Sequence, residues 1–182
     1  MNFCSHCGGP VVLQVPEDDE RPRHVCPSCG TIHYQNPKLV VGCIPVWEDR
    51  ILMCRRNIEP RKGYWTLPAG FLENGETAAA GARRETLEET ASTVTDLEPY
   101  LMVDIVHIHQ IYLMFRSRLL APDFHPTRES SEVKLLGEAD IPWNDIAFKV
   151  VEKTLRHYLQ DRPSGRFVFR TDKIDNRRLI GS

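Results

Sequence analysis

Glu85, Glu88 and Glu89 lie three and four positions apart in a run from Thr77 to Ala91. That run opens on a threonine cap, carries four alanines before Arg83 and contains no proline, so it reads as a helix. At that spacing the three carboxylates share one helix face. Gathered carboxylates repel one another unless cations sit between them, and hard oxygen ligands suit Mg²⁺ or Mn²⁺. A solvated acidic face is the competing explanation. Upstream, Pro68-Ala69-Gly70 forms a tight bend able to aim backbone carbonyls at the same place. Glu76 stands two turns before Arg84, and an ion pair between them would tie loop to helix.

Cysteines form the second chemical group. Cys4-Ser5-His6-Cys7 and Cys26-Pro27-Ser28-Cys29 are two Cys-x-x-Cys units, each followed by glycine (Gly8, Gly30). Two residues between cysteines let one tight turn present both sulfurs to one ion. Four thiolates from Cys4, Cys7, Cys26 and Cys29 would fill a tetrahedral zinc shell and leave no position for water. The zinc expected here is therefore structural. A redox dithiol is the alternative, and His6 and His24 are substitute ligands. Cys43 and Cys54 lie in apolar runs and read as small buried hydrophobes.

Elements must position these groups. Residues 1–36 read as a small zinc ribbon and residues 37–182 as a second domain. In the latter, 39–44, 51–54, 101–108, 111–120, 133–136 and 167–169 read as strands, with a turn at 48–50. Residues 147–159 read as a second helix, and 121–131 as a loop. Strands mixed with two helices give an α/β sandwich. The 182 residues are 41% hydrophobic, enough for a packed core, and the formal charge of −2 gives no argument for bulk nucleic-acid binding. No run is long and apolar enough to span a membrane. The N-terminal residues lack a secretory pattern, so the expectation is a cytoplasmic chain with reduced thiols.

The frame around the glutamates resembles the Nudix hydrolase signature. That signature reads glycine, five residues, glutamate, seven residues, arginine-glutamate, an aliphatic, any residue, glutamate-glutamate, any residue, glycine, an aliphatic. The chain matches it at Gly70, Glu76, Arg84, Glu85, Glu88 and Glu89, and departs at Thr86, Ala91 and Ser92. The resemblance implies an α/β/α sandwich with a mixed sheet, hydrolysing a nucleoside diphosphate derivative with Mg²⁺ or Mn²⁺. It implies Glu85 and Glu89 as main metal ligands, helped by Glu88 and the Ala69 carbonyl, with Gly70, Glu76 and Arg84 structural. A further carboxylate from a later strand is assigned to Glu132, with Glu129 as its rival. Either Glu88 or Glu132 would be the general base. The resemblance also implies a homodimer.

The ribbon narrows the substrate. NADH pyrophosphatases of this family carry a four-cysteine zinc site but add a Ser-Gln-Pro-Trp-Pro-Phe-Pro array. Tyr100-Leu101-Met102-Val103-Asp104-Ile105 stands in its place here. A second, bacterial and plastid subgroup acting on ADP-ribose and FAD is similar over nearly the whole chain, including Tyr34 to Lys38, Cys54 to Pro60 and Gly63 to Gly70. The expectation is therefore FAD or ADP-ribose, releasing AMP. NADH is the alternative, and a nucleotide-binding regulator without turnover is the second. The partner is thus a small dinucleotide or ADP-ribose, with no nucleic acid and no membrane. Arg55 and Arg56 are the candidates for phosphate. Tyr64, Trp65 and Tyr112 are candidates for a ring face, beside Tyr34 and Phe148. His107 and His109, one residue apart in a strand-like run, would face one side.

Overall fold

In the computed structural model, residues 1–175 are described. They divide into two compact units, Met1–Pro37 and Lys38 onward.

The first unit is a three-stranded antiparallel sheet of β1 (Val12–Gln14), β2 (Arg23–Val25) and β3 (Ile32–His33), in that order. The two cysteine turns repeat one hydrogen-bond pattern. The Cys4 amide donates to Gly9 O at 2.8 Å and the Gly8 amide to Cys4 O at 3.0 Å. The Cys26 amide donates to Thr31 O at 2.9 Å and the Gly30 amide to Cys26 O at 2.8 Å. Closing each turn needs a left-handed residue, supplied by Gly8 at φ +75° and Gly30 at φ +73°.

The second unit is built on β4 (Lys38–Trp47), β5 (Arg50–Arg56), β6 (Trp65–Thr66), β7 (Ala69–Phe71), α1 (Ala78–Thr90), β8 (Val94–Ile105), β9 (Gln110–Leu119), β10 (Ser130–Leu136), α2 (Lys149–Asp161) and β11 (Arg170–Lys173). The sheet order is β10-β5-β4-β9-β8-β11, with β6 on β5 and β7 on β4. The β4–β9 and β8–β11 pairs are parallel and the others antiparallel, so the sheet is mixed. Alternation along β5 sends Ile51 and Met53 into a core with Val150, Val151 and Leu155 of α2. Leu52 and Cys54 go to a core with Ala82 of α1. The two helices therefore cover opposite faces in an α/β/α sandwich. Cys43 and Cys54 are fully buried in it.

Several bounds differ from the sequence reading. The strand expected at 101–108 is β8, which starts at Val94 and ends at Ile105; residues 106–108 are one helical turn. Asp96 and Pro99 hid its first half. They are accommodated at register shifts, with Asp96 at φ +52°. The strand expected at 167–169 is β11 at 170–173, a charged edge strand. β1, β2, β3, β6 and β7 are too short to carry a sequence signal.

The Thr77 hydroxyl accepts from the Ala80 amide at 3.2 Å and starts α1. The helix ends at Ala91 in the left-handed region, φ +56°, where the family signature has glycine. An alanine there costs about 1 kcal/mol. Thr86 and Ser92, polar where the signature is aliphatic, are satisfied: their hydroxyls donate to Ala82 O at 2.8 Å and to Asp123 O at 2.5 Å. Among the described residues no helix is long and apolar enough to cross a membrane.

Candidate active site and zinc centre

Arg84 organises the loop before α1. Its Nε and Nη2 donate to the Glu76 carboxylate at 3.1 and 2.7 Å, and Nη2 reaches Phe71 O at 3.0 Å. Nη1 bridges Glu85 at 2.7 Å and Glu88 at 3.0 Å. Arg84 thus clamps loop to helix and holds two of the three glutamates. The same guanidinium holds the Glu76 carboxyl below the usual carboxylate range.

Glu85 and Glu89 are buried, while Glu88 lies at the rim. The Ala69 amide donates to Glu89 Oε2 at 3.0 Å, which seats β7 against the helix. Among the described residues Glu89 has no ion-pair partner, and burial pushes its carboxyl up to about 8. Burial also raises Glu85, against the pull of Arg84. Gly70 faces them at close range, and a Cβ there would overlap the Glu85 carboxylate. Two buried carboxylates, one without an ion-pair partner, gathered where a glycine lets Glu85 lie against the backbone, fit a hard divalent cation. Gly70→Ala pushes a methyl into the Glu85 carboxylate and displaces it. It is expected to reduce turnover at least about tenfold with little loss of secondary structure, checked by kcat and circular dichroism.

The raised Glu89 carboxyl gives a pH prediction. Its folded value of about 8 lies above the 4.5 of an ordinary glutamate carboxyl. Its contribution to stability is therefore fully present below the lower value and is lost as pH rises through the upper one. A cation relieves the ionised form, so the rise in Tm caused by Mg²⁺ should be larger near pH 9 than near pH 6. A Tm increment that shrinks or stays constant with pH would contradict this.

A cavity of about 780 Å³ opens over these groups. Glu85, Glu88, Glu89, Glu73 and Glu129 line it. Arg56, Tyr112, Phe148 and Lys149 line it too, with Ile58 to Arg61 and Ile174, and Arg56 lies within electrostatic reach of Glu89.

Of the residues expected at the site, Ala69, Gly70, Arg84, the three glutamates, Arg56 and Tyr112 line the cavity. Glu76 supports it through Arg84. Glu132 does not line it: its carboxylate accepts from Arg55 Nη1 and from Lys134 Nζ, both at 2.6 Å. A register shift between Ser130 and Glu132 turns the strand, and Glu129, named second in the sequence reading, faces the glutamates instead. Arg55 also lies outside, its Nε donating to Gly63 O at 2.7 Å, because neighbours on β5 point to opposite faces. Trp65 is a core residue packed with α2, and Tyr64 takes the Arg61 guanidinium over its ring. Neither lines the cavity. His107 lines it while His109 does not, since the chain turns between them instead of running as a strand. The loop 58–61, Lys149 and Ile174 line the cavity without a role expected from the sequence.

In the first unit, the Sγ atoms of Cys4, Cys7, Cys26 and Cys29 all lie within 4.8 Å of one another. Cys4–Cys29 is 3.7 Å and Cys7–Cys26 is 3.5 Å. Sulfurs placed ~2.3 Å from one tetrahedral ion would be ~3.8 Å apart, so the cluster fits zinc. The His6 amide points at Cys4 Sγ at 3.4 Å, and His33 Nε2 lies 3.2 Å from the same sulfur. The Thr31 hydroxyl and amide hold the Cys29 thiol down at about 6. Among the described residues no other group of three or more His, Cys, Asp or Glu ligand atoms is gathered this closely.

Family models agree with this architecture. The Nudix N-terminal zinc-ribbon model matches residues 2–35 and the NUDIX domain model matches residues 36–158. The chain belongs to the Nudix family and is a Nudix hydrolase. A crystal structure of a NUDIX hydrolase from Nitrosomonas europaea superposes with TM-score 0.92 at 53% identity, covering 96% of this chain and 99% of that one. The NAD-capped RNA hydrolase NudC of Chromobacterium violaceum is 29% identical over 160 residues, 85% of this chain and 57% of that protein. The mitochondrial NAD(P)H pyrophosphatase NUDT13 of Homo sapiens is 34% identical over 100 residues, 54% of this chain and 26% of that protein. The chain thus spans little more than half the length of the first of these curated relatives, and a quarter of the second.

Proposed function

We propose that the chain hydrolyses the diphosphate bond of a nicotinamide dinucleotide, releasing AMP and the nicotinamide mononucleotide, with Mg²⁺ or Mn²⁺ at the glutamates. This moves the preferred substrate away from FAD and ADP-ribose, the expectation from sequence. Support comes from the relatives, whose names specify NAD-capped RNA and NAD(P)H. The observation that carries the reaction type is the cavity, lined by the three carboxylates of α1 and by Glu129 together with the aromatic rings of Tyr112 and Phe148.

Glu85 and Glu89 would hold the cation, with Glu88 at its rim. The ion would neutralise phosphate oxygens and lower the pKa of the attacking water. Glu129 takes the water's proton, with Glu88 as its rival. The new bond joins the water oxygen to one phosphorus, the bridging P–O bond breaks, and the bridging oxygen stays on the other phosphate. Arg84, fixed by Glu76, keeps the helix registered on its loop and takes no part in the chemistry. Tyr112 and Phe148 offer faces to a base.

A second reading keeps FAD or ADP-ribose. It is favoured by the Tyr100–Ile105 stretch, which runs as strand with Tyr100, Leu101 and Val103 in the core and leaves no proline-rich array. Steady-state kcat/KM for NADH, NAD⁺, FAD, ADP-ribose and a short NAD-capped RNA decides between them. Nicotinamide substrates are expected to lead by about tenfold or more, the discrimination available from a few added contacts. FAD or ADP-ribose leading by that margin would replace this reading with the second.

A further inference from the structure

We propose that Arg56, Lys149 and the first turn of α2 form an anion subsite for the phosphoryl group that is not attacked, and that this subsite retains the 5′-phosphate of the AMP product. The assignment rests on the reading above that the substrate is a dinucleotide.

Arg56 is nine-tenths buried, with 9% of its surface exposed, and lines the cavity. Its Nε donates to Pro60 O at 2.8 Å. Among the described residues its two terminal nitrogens have no acceptor and no carboxylate pairs with it. The guanidinium lies over the Phe148 ring, 5.2 Å from its centroid, which fixes its plane. Glu89 lies within its electrostatic reach but not at ion-pair distance, and a buried cation without a directly paired anion is costly. The cavity it faces is where a partner can enter.

Phe148 also precedes α2, a helix of 13 residues, and gives it no side-chain cap. The leading amides, at Lys149 and Val150, are therefore left for an external acceptor. Both residues line the same cavity as Arg56. Lys149 forms no ion pair among the described residues. A buried guanidinium with free terminal nitrogens, a lysine and an uncapped helix start thus line the same cavity as the glutamates, with Arg56 in electrostatic reach of Glu89, as two phosphoryl groups sharing one bridging oxygen require. A dinucleotide has two phosphoryl groups. One belongs at the glutamates, where a cation is needed to hold it; the other meets fixed positive charge and needs none.

The test uses the full, zinc-loaded chain without added Mg²⁺ or Mn²⁺, where the glutamates repel phosphate and the second subsite is left to bind it. Titrations with AMP, inorganic phosphate and adenosine are followed by calorimetry. AMP is expected to bind, inorganic phosphate to compete with it, and adenosine to bind at least about tenfold more weakly. Arg56→Gln should weaken AMP by about thirtyfold and Lys149→Gln by about fivefold, as for lost charge-assisted bonds. Arg56→Lys, which keeps the charge, should retain part of the affinity. It also supplies a folded comparison if Arg56→Gln melts early. Adenosine binding as tightly as AMP, no AMP binding to the wild type, or affinity indifferent to both the Arg56→Lys and Lys149→Gln changes would overturn the subsite. The two proposals fail separately. Absence of dinucleotide turnover with AMP binding intact removes the proposed function alone. Normal turnover with AMP binding insensitive to these residues removes the subsite alone.

Discussion

Replacing Glu89 by glutamine is expected to lower kcat by about a thousandfold, roughly 4 kcal/mol of barrier, while leaving the fold intact. The side chain keeps its shape and a carbonyl oxygen that can still accept from the Ala69 amide, a bond of 3.0 Å in the native chain. What is lost is the buried negative charge for a cation. Because burial raises the native carboxyl to about 8, its ionised form destabilises the metal-free protein at alkaline pH. The glutamine form should then melt at the same temperature as wild type or higher near pH 9 in EDTA, and should show no Mg²⁺-dependent rise in Tm. Full activity in this variant would remove Glu89 from the site. Equal loss of activity and of Tm would make its role structural.

Cys26→Ser is expected to release the zinc and unfold the first unit while leaving the second unit folded. Cys26 is fully buried, and a sheet of strands two or three residues long with exposed Val12 and Leu13 has almost no core of its own. In such units metal binding supplies the folding free energy, on the order of 10 kcal/mol. Metal analysis should fall from about one zinc per chain to near zero. Limited proteolysis should then cut within residues 1–37 and spare the remainder. Retained zinc, or a protease-resistant first unit without it, would contradict the structural assignment.

Parts of this were legible in the chain because they repeat a local rule. Alanine-rich composition and the Thr77 cap give α1 almost to the residue, and the cysteine spacing gives the sulfur cluster. Side chains whose placement depends on strand register were not legible. Arg55 and Arg56 are adjacent, yet only one reaches the cavity, and no local feature says which face of β5 is inward there. Glu129 and Glu132 are exchanged by a bulge that depends on pairing with β5. β11 lies three residues beyond the strand expected at 167–169, because an edge strand needs little apolar alternation when ion pairs hold it. Lys153 meets Asp172 at 2.6 Å, and Arg170 meets Asp161 at 2.5 Å. The cavity is the least local feature of all, since residues from β5, β9 and the start of α2 line it together with those of α1.

The central claim is that the Glu85–Glu89 helix directs metal-dependent cleavage of a diphosphate bond. Product analysis of NADH incubated with the purified protein tests it most directly, with Mg²⁺ and with EDTA. AMP and reduced nicotinamide mononucleotide in equal amounts, formed only with the metal, are the predicted result. Intact NADH under both conditions, products formed equally in EDTA, or release of free nicotinamide or inorganic phosphate instead would contradict it.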